Sequence, residues 1–327
     1  MAFVDNILTT RHLKWLIIIS AAVFFNSIAH AQSFPKVKVE YDSAAAWTFE
    51  NLQLIPIRYV GSGGGSIPAL QKTKLISLQE AVKKGKVKIS ELSGSENAEV
   101  TVLTMRNNSK ETIVVNSGEI VSGGKQDRII SETTILPPGK EKHYIDVFCV
   151  EKGRWSKKPR SFDYHRSADV ALRRVMDIEK MQQKIWEAIE NQYKASGKSS
   201  ETWPYKNLYR DQRFLQADSA YVKFFSDKFA QSDSSYAGFI AVTSNQVIVT
   251  DLFATKEMTT AAFLTLLRSY SATAITLGET PDIKMEEVKK FMDPILSDDK
   301  TRDKYVSQRG RVFKYENKVI QITAYGD

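Results

Sequence analysis

The chain is almost without cysteine: Cys149 carries the only thiol in 327 residues. An intrachain disulfide is excluded, so a stable fold has to come from burial of apolar side chains. Histidine is nearly as scarce, with His12, His30, His143 and His165 only, which argues against a zinc centre. The one strongly apolar N-terminal run, residues 15–25, falls short of the roughly 20 residues that cross a bilayer. Acidic residues are the minority charge, 38 against 46 Lys and Arg, giving a net charge of +8. That balance favours anionic partners, but no recognition motif accompanies it, so nucleic acid is not expected.

The N-terminus reads as a secretory signal peptide. Arg11, His12 and Lys14 precede the apolar run, and Ala29-His30-Ala31 supplies a small-residue cleavage site before Gln32. Residues 1–31 are therefore expected to be removed and the product exported, to a periplasm or the cell exterior. No cysteine stands at the cleavage site to carry a lipid. What remains, 32–327, is expected to form a single α+β domain, with 32–156 and 157–327 as its sub-lobes if it divides.

Strands are expected over 52–60, 86–92, 99–106 and 111–116. The last two would pair as a hairpin around Asn107-Asn-Ser-Lys110. Ser77, with Glu80 three residues on, is placed to cap a short helix that Gly85 ends. Residues 142–150 read as a central strand with two mostly apolar faces. A long helix is expected from Ser167 to Gly197, buried along Ala171, Val175, Ile178, Ile185 and Ile189. Further helices are expected at 211–230, after Thr255, and from Pro281 to Met292. Hairpins are expected around Ser244-Asn245 and Glu316-Asn-Lys318. Short turns between consecutive strands argue for antiparallel pairing: a strand-rich N-terminal half packed with a helix-rich C-terminal half.

Two turns concentrate binding chemistry. The first is Asn116-Ser-Gly-Glu-Ile-Val-Ser-Gly-Gly-Lys-Gln-Asp-Arg128, the second Cys149-Val-Glu-Lys-Gly-Arg-Trp155. The first is not a phosphate loop, because Gln126 stands where a Ser or Thr would hold magnesium. Gly123 and Gly124 can still offer backbone N–H groups to an anion, and Lys125 and Arg128 add charge. The alternative is a glycine turn with a surface ion pair. In the second turn Arg154 can grip an anion and Trp155 can stack on a ring. Equally, Arg154 can pair with Glu151 while Trp155 covers the core. Cys149 reads as a buried thiol, since His143 lies about 20 Å away along the strand. Glu119, Asp127 and Glu151 could together hold a metal or form an acid–base pair, but the sequence does not fix their separation. Residues 152–174 carry eight cations against Asp163 and Asp169, either an anion-attracting segment or a solvated face.

These paired motifs resemble the ARG and rhodanese-phosphatase-associated protein family. Further matches are Asn51-Leu52 with Pro56, Ala81 with Gly85 and Glu91, and Asp251-Leu252-Phe253. The resemblance covers most of residues 32–327. It places the family motif on Glu119, Gly123, Gly124, Lys125, Gln126, Arg128, Cys149, Glu151, Gly153, Arg154 and Trp155, with no catalytic roles attached. The association with ADP-ribosylglycohydrolase and rhodanese-phosphatase proteins implies a nucleotide or ADP-ribose-like ligand; an export signal departs from an intracellular nucleotide role.

The expectation is thus an exported protein that binds a small anionic ligand through Glu119, Gly123, Gly124, Lys125, Gln126, Arg128, Glu151, Arg154 and Trp155. Neither a reaction nor a cofactor is assigned, and no metal is expected. The other reading is a non-enzymatic envelope protein whose motifs lock two turns through Glu–Arg pairs while the basic segment docks an acidic partner.

Overall fold

The computed structural model describes residues 34–327 except 62–63, 66, 68–69, 71, 93–100, 155, 157–159 and 233–234. The signal-peptide expectation and Trp155 lie outside the described residues. The strands are β1 (Val37–Val39), β2 (Thr48–Phe49), β3 (Leu52–Tyr59), β4 (Leu75–Ser77), β5 (Val87–Glu91), β6 (Val102–Asn107), β7 (Thr112–Val115) and β8 (Glu119–Gly124). They continue with β9 (Arg128–Ile130), β10 (Thr134–Leu136), β11 (His143–Cys149), β12 (Arg160–Ser167), β13 (Tyr236–Thr243), β14 (Gln246–Phe253), β15 (Gly310–Tyr315) and β16 (Lys318–Tyr325). The helices are α1 (Leu78–Lys83), α2 (Val170–Glu179), α3 (Gln182–Ala195), α4 (Gln212–Ala230), α5 (Lys256–Leu277), α6 (Met285–Met292) and α7 (Asp299–Arg309).

The class is α+β with mainly antiparallel sheets. One sheet runs β1-β3-β13-β14-β16-β15 with β2 beside β3, and a second runs β12-β8-β9-β11-β6-β5. A small third sheet, β10-β7-β4, contains a parallel pair, β4 with β7. Residues on either side of 156 share the two larger sheets: β3 lies between β1 and β13, and β12 pairs with β8.

Every residue of β13 is buried, because the first sheet is covered on both faces. Phe239 and Ala241 meet Phe263, Leu266 and Tyr270 of α5 together with Phe225 of α4. Ala237, Ile240 and Val242 meet Val288 and Met292 of α6 and Val306 of α7. The Thr255 hydroxyl caps α5 by accepting from Met258 N–H, 3.3 Å. The Ser77 hydroxyl caps α1 by accepting from Glu80 N–H, 3.1 Å.

The expected hairpin of 99–106 with 111–116 does not form. β6 pairs with β5 and β11, whereas β7 pairs with β4 and β10. Asn107 redirects the chain: its buried amide donates to the carbonyls of Glu111, Leu136 and Pro137 at 2.7, 3.0 and 3.1 Å. A turn sequence that looks local is thus held by groups about thirty residues away.

The long helix expected from Ser167 is also corrected. Ser167 ends β12, paired with Glu119, and Asp169 caps α2 by accepting from Leu172 N–H, 3.0 Å. The helix breaks at Lys180, whose φ of 54° is left-handed, and resumes as α3. The face of α2 that is buried carries Val170, Leu172, Arg173, Met176 and Asp177, so it includes two charges and not the stripe of Ala171, Val175 and Ile178. Strand β11 is paired on both sides, but Tyr144 and Asp146 are exposed, so only one of its faces is core. Beyond α6 lies α7, which sequence reading missed because only Arg302 and Val306 of its residues are buried.

Left-handed backbone costs a side-chain-bearing residue about 1–2 kcal/mol, and glycine removes that strain while adding chain entropy. Lys180→Gly should therefore raise stability by up to about 1 kcal/mol, measured by urea unfolding. A loss of stability would contradict a left-handed break at this position.

Candidate functional site

The two motif turns are neighbours. Val150 N–H donates to Asp127 O at 3.1 Å, and Ser156 N–H donates to Lys125 O at 3.1 Å. Strands β8, β9 and β11 place them: β8 delivers Gly123 and Gly124, β9 begins at Arg128, and β11 ends at Cys149.

Asp127 organises the joint. Its buried carboxylate accepts from Gly123 N–H at 3.0 Å and Arg154 Nη2 at 2.9 Å, and its second oxygen pairs with Lys206 Nζ at 2.9 Å. Arg154 Nε also donates to Glu151 Oε2. Glu151 is fixed in turn, its carbonyl accepting from Gln126 Nε2 at 3.0 Å. On the other side, Glu91 Oε1 accepts from Lys125 N–H at 2.6 Å and lies 3.8 Å from Arg128 Nη2. Arg128 is 1% exposed, and burial lowers its pKa while Cys149, Glu91 and Asp127 oppose the shift.

Of the two glycine N–H groups expected to meet an outside anion, that of Gly123 is held by the Asp127 carboxylate, and Glu91 takes the N–H of the next motif residue, Lys125. The glycines serve close packing. A Cβ on Gly123 would stand 2.4 Å from Ser161 O, and one on Gly124 2.3 Å from the Phe162 ring. Both have positive φ, 144° and 51°. Lys125 and Arg154 are half-buried at the rim, and beside them Lys152 and Gly153 are exposed.

Glu119 is at the opposite end of β8. There Oε2 accepts from Asn116 N–H at 2.7 Å and Oε1 from the Thr265 hydroxyl at 3.3 Å. The structure thus gathers Gly123, Gly124, Lys125, Gln126, Arg128, Glu151 and Arg154, and holds Glu119 apart by the length of a strand. Among the described residues no three His, Cys, Asp or Glu side chains form a metal-sized cluster. The Cys149 thiol is buried, its pKa is raised by that burial, and its backbone N–H and C=O are both bound by the Gln182 amide at 2.8 Å. It lacks the thiolate character of a nucleophile.

The basic segment is divided: Arg166 and Arg173 are turned inward, whereas Lys152, Arg160 and Arg174 are exposed. Arg166 is buried, bonds Arg268 O at 2.8 Å and lies over the Tyr209 ring, 4.5 Å from its centroid. Arg173 is fully buried against Asp251, and Arg174 donates to Gly326 O at 2.8 Å. Lys157 and Lys158 lie outside the described residues.

The joint also uses three residues absent from the expected site: Asp127, which lies within the first motif, Glu91 and Lys206. Glu91 had a signal, since it matches the family pattern. Lys206 had none: it lies in a 3-10 turn, 79 positions beyond its partner Asp127.

A family model described as the ARG and Rhodanese-Phosphatase-superfamily-associated Protein domain matches residues 40–324. The chain belongs to that family. Comparisons with curated proteins and with solved structures gave no match. The family match spans both motifs and the whole of the second sheet, so the joint is part of the family domain. No helix among the described residues is long and apolar enough to cross a membrane.

Burial pushes the Glu119 carboxyl up to about 8 from its ordinary 4.5, against the Asn116 and Thr265 hydrogen bonds that favour the charged form. The folded state then keeps a proton that the unfolded chain has released. The stability this contributes is complete below 4.5 and is lost as pH rises toward 8. Wild type should lose about 1 kcal/mol more between pH 7 and pH 8 than Glu119→Gln, whose neutral amide stands in for the protonated acid. Urea unfolding at both pH values reads the difference; parallel losses would contradict a protonated Glu119.

Proposed function

We propose that the protein is an exported binding protein for a small anionic ligand, in which the joint has two layers. The inner layer, Gly123, Gly124, Gln126, Arg128 and Glu151 around Asp127, braces two turns. The rim, Lys125, Arg154 and Lys206, meets the ligand. The observation that carries this reading is the convergence of Arg154 and Lys206 on one buried carboxylate, Asp127. Among the described residues four cations (Lys125, Arg128, Arg154, Lys206) and three acids (Glu91, Asp127, Glu151) make up the joint. An anion arriving there would share Arg154 with its internal partners, and the forked guanidinium suits a phosphate or carboxylate. Export rests on the N-terminal sequence pattern, and an ADP-ribose-like ligand rests on the family association alone.

A second reading follows from the occupied N–H groups of Gly123 and Lys125: the motifs are a brace only, and an acidic envelope partner docks elsewhere. Arg154 separates the two. Thermal melting of the purified protein with ADP-ribose, pyrophosphate and acidic glycans should show saturable stabilisation by one of them, of about 2.7 kcal/mol at a hundredfold excess over Kd. Arg154→Ala should stay folded and lose that response. Arg154→Lys, which keeps the charge but not the fork, should retain part of it. No saturable shift in wild type, or a full response in Arg154→Ala, would leave only the brace.

A further inference from the structure

The outer face of the second sheet holds another group of cations, separate from the rim. Ile89, Leu103, Met105 and Ile145 of β5, β6 and β11 are buried in the core between the sheets. Strand alternation turns the residues between them outward. Pairing register stacks these outward residues in two rows. Lys88 lies opposite Arg106, and Lys142, one residue before the His143–Met105 pair, extends that row. Ser90 lies opposite Thr104, and Thr104 opposite Tyr144. The rows wall an open cavity of about 460 Å³.

Three like charges side by side across strands destabilise a sheet unless something neutralises them. Among the described residues no carboxylate forms an ion pair with Lys88, Arg106 or Lys142. Glu91 borders the same cavity, but its carboxylate is engaged by Lys125 N–H and Arg128 on the motif side. In the second row Thr104 is buried and donates to Ser90 O at 3.2 Å, while the Tyr144 ring is left 66% exposed beside the cations.

We propose that this face is a binding site for a phosphorylated sugar. Neighbouring strands lie about 4.8 Å apart, so the flexible ends of Lys88, Arg106 and Lys142 can close on one phosphoryl dianion. Ser90 and Tyr144 then stand one register step away. Their hydroxyls can bond those of the sugar, and the Tyr144 ring can pack on its apolar face. The cavity volume is in the range of small-ligand sites. Phosphate fixes the ligand and the hydroxyl row selects what is attached to it.

Calorimetric titration of the purified protein with ribose 5-phosphate, inorganic phosphate and ribose tests the assignment. Ribose 5-phosphate should bind saturably, inorganic phosphate at least tenfold more weakly, and ribose not at all. Arg106→Ala should weaken ribose 5-phosphate at least tenfold. Lys142→Ala, at an exposed position where folding is not at stake, should act in the same direction. Tyr144→Ala should weaken ribose 5-phosphate and leave inorganic phosphate unchanged. Arg154→Ala should have no effect, which separates this site from the motif rim. The proposal is overturned by absence of ribose 5-phosphate binding, by equal affinity for inorganic phosphate, by wild-type affinity in the Arg106 and Lys142 variants, or by loss of binding in Arg154→Ala alone.

Discussion

The fold depends on one buried ion pair. Arg173 of α2 and Asp251 of β14 are both fully buried, and the guanidinium donates to both carboxylate oxygens, at 2.8 and 3.2 Å. The same carboxylate accepts from Thr323 at 2.6 Å, Gln321 at 3.1 Å and Tyr270 at 2.7 Å. Gln321 in turn accepts from Thr133, which accepts from Ser117 N–H at 2.9 Å. Through these bonds one charge ties the first sheet, α5 and α2 to the turn before β8. Gly118 is the residue that lets α2 approach: a Cβ there would lie 2.8 Å from the Arg173 side chain. Removing one partner of such a pair leaves an uncompensated charge in a dry interior, which is why both ends have to be present.

The motif joint repeats this logic nearer the surface. Asp127 is as buried as Asp251 and also gathers its cations from distant segments, but its partner Arg154 remains 25% exposed. Rigidity at the inner layer and accessibility at the rim then coexist in one cluster. That combination suits binding, where donors must be pre-positioned yet reachable, better than it suits chemistry. The acids are committed to ion pairs at Asp127 and Glu151, buried at Glu119, or drawn to Lys125 N–H at Glu91.

Where structure is decided by neighbours in sequence, the residues declared it. Ser77 and Thr255 cap the helices they were expected to cap, and the hairpins at Ser244-Asn245 and Glu316-Asn317 turn with positive φ at Ser244, Glu316 and Asn317. Where remote groups decide, the sequence was silent. Asn107 does hold its local turn, accepting from Ser109 N–H at 2.9 Å, but it also donates to the remote carbonyls of Leu136 and Pro137. Arg166 and Arg173 looked like surface charge, because their partners Arg268 O and Asp251 are 102 and 78 positions away. The site divides in the same way. The local composition of both turns marked the joint, but the pairing of Gly123 and Lys125 with Asp127 and Glu91 depends on the sheet. Two rows facing water on β5, β6 and β11 emerge only once register sets Lys88 beside Arg106 and Thr104 beside Tyr144.

The most direct test of the account is a double-mutant cycle on its central pair, Arg173→Met and Asp251→Asn, followed by urea unfolding. Each single change should cost about 3–5 kcal/mol, since each strands a buried group. The double variant should lose clearly less than the sum, with a coupling of about 2 kcal/mol or more. Additive losses, or single variants as stable as wild type, would show that the fold does not hang on this pair.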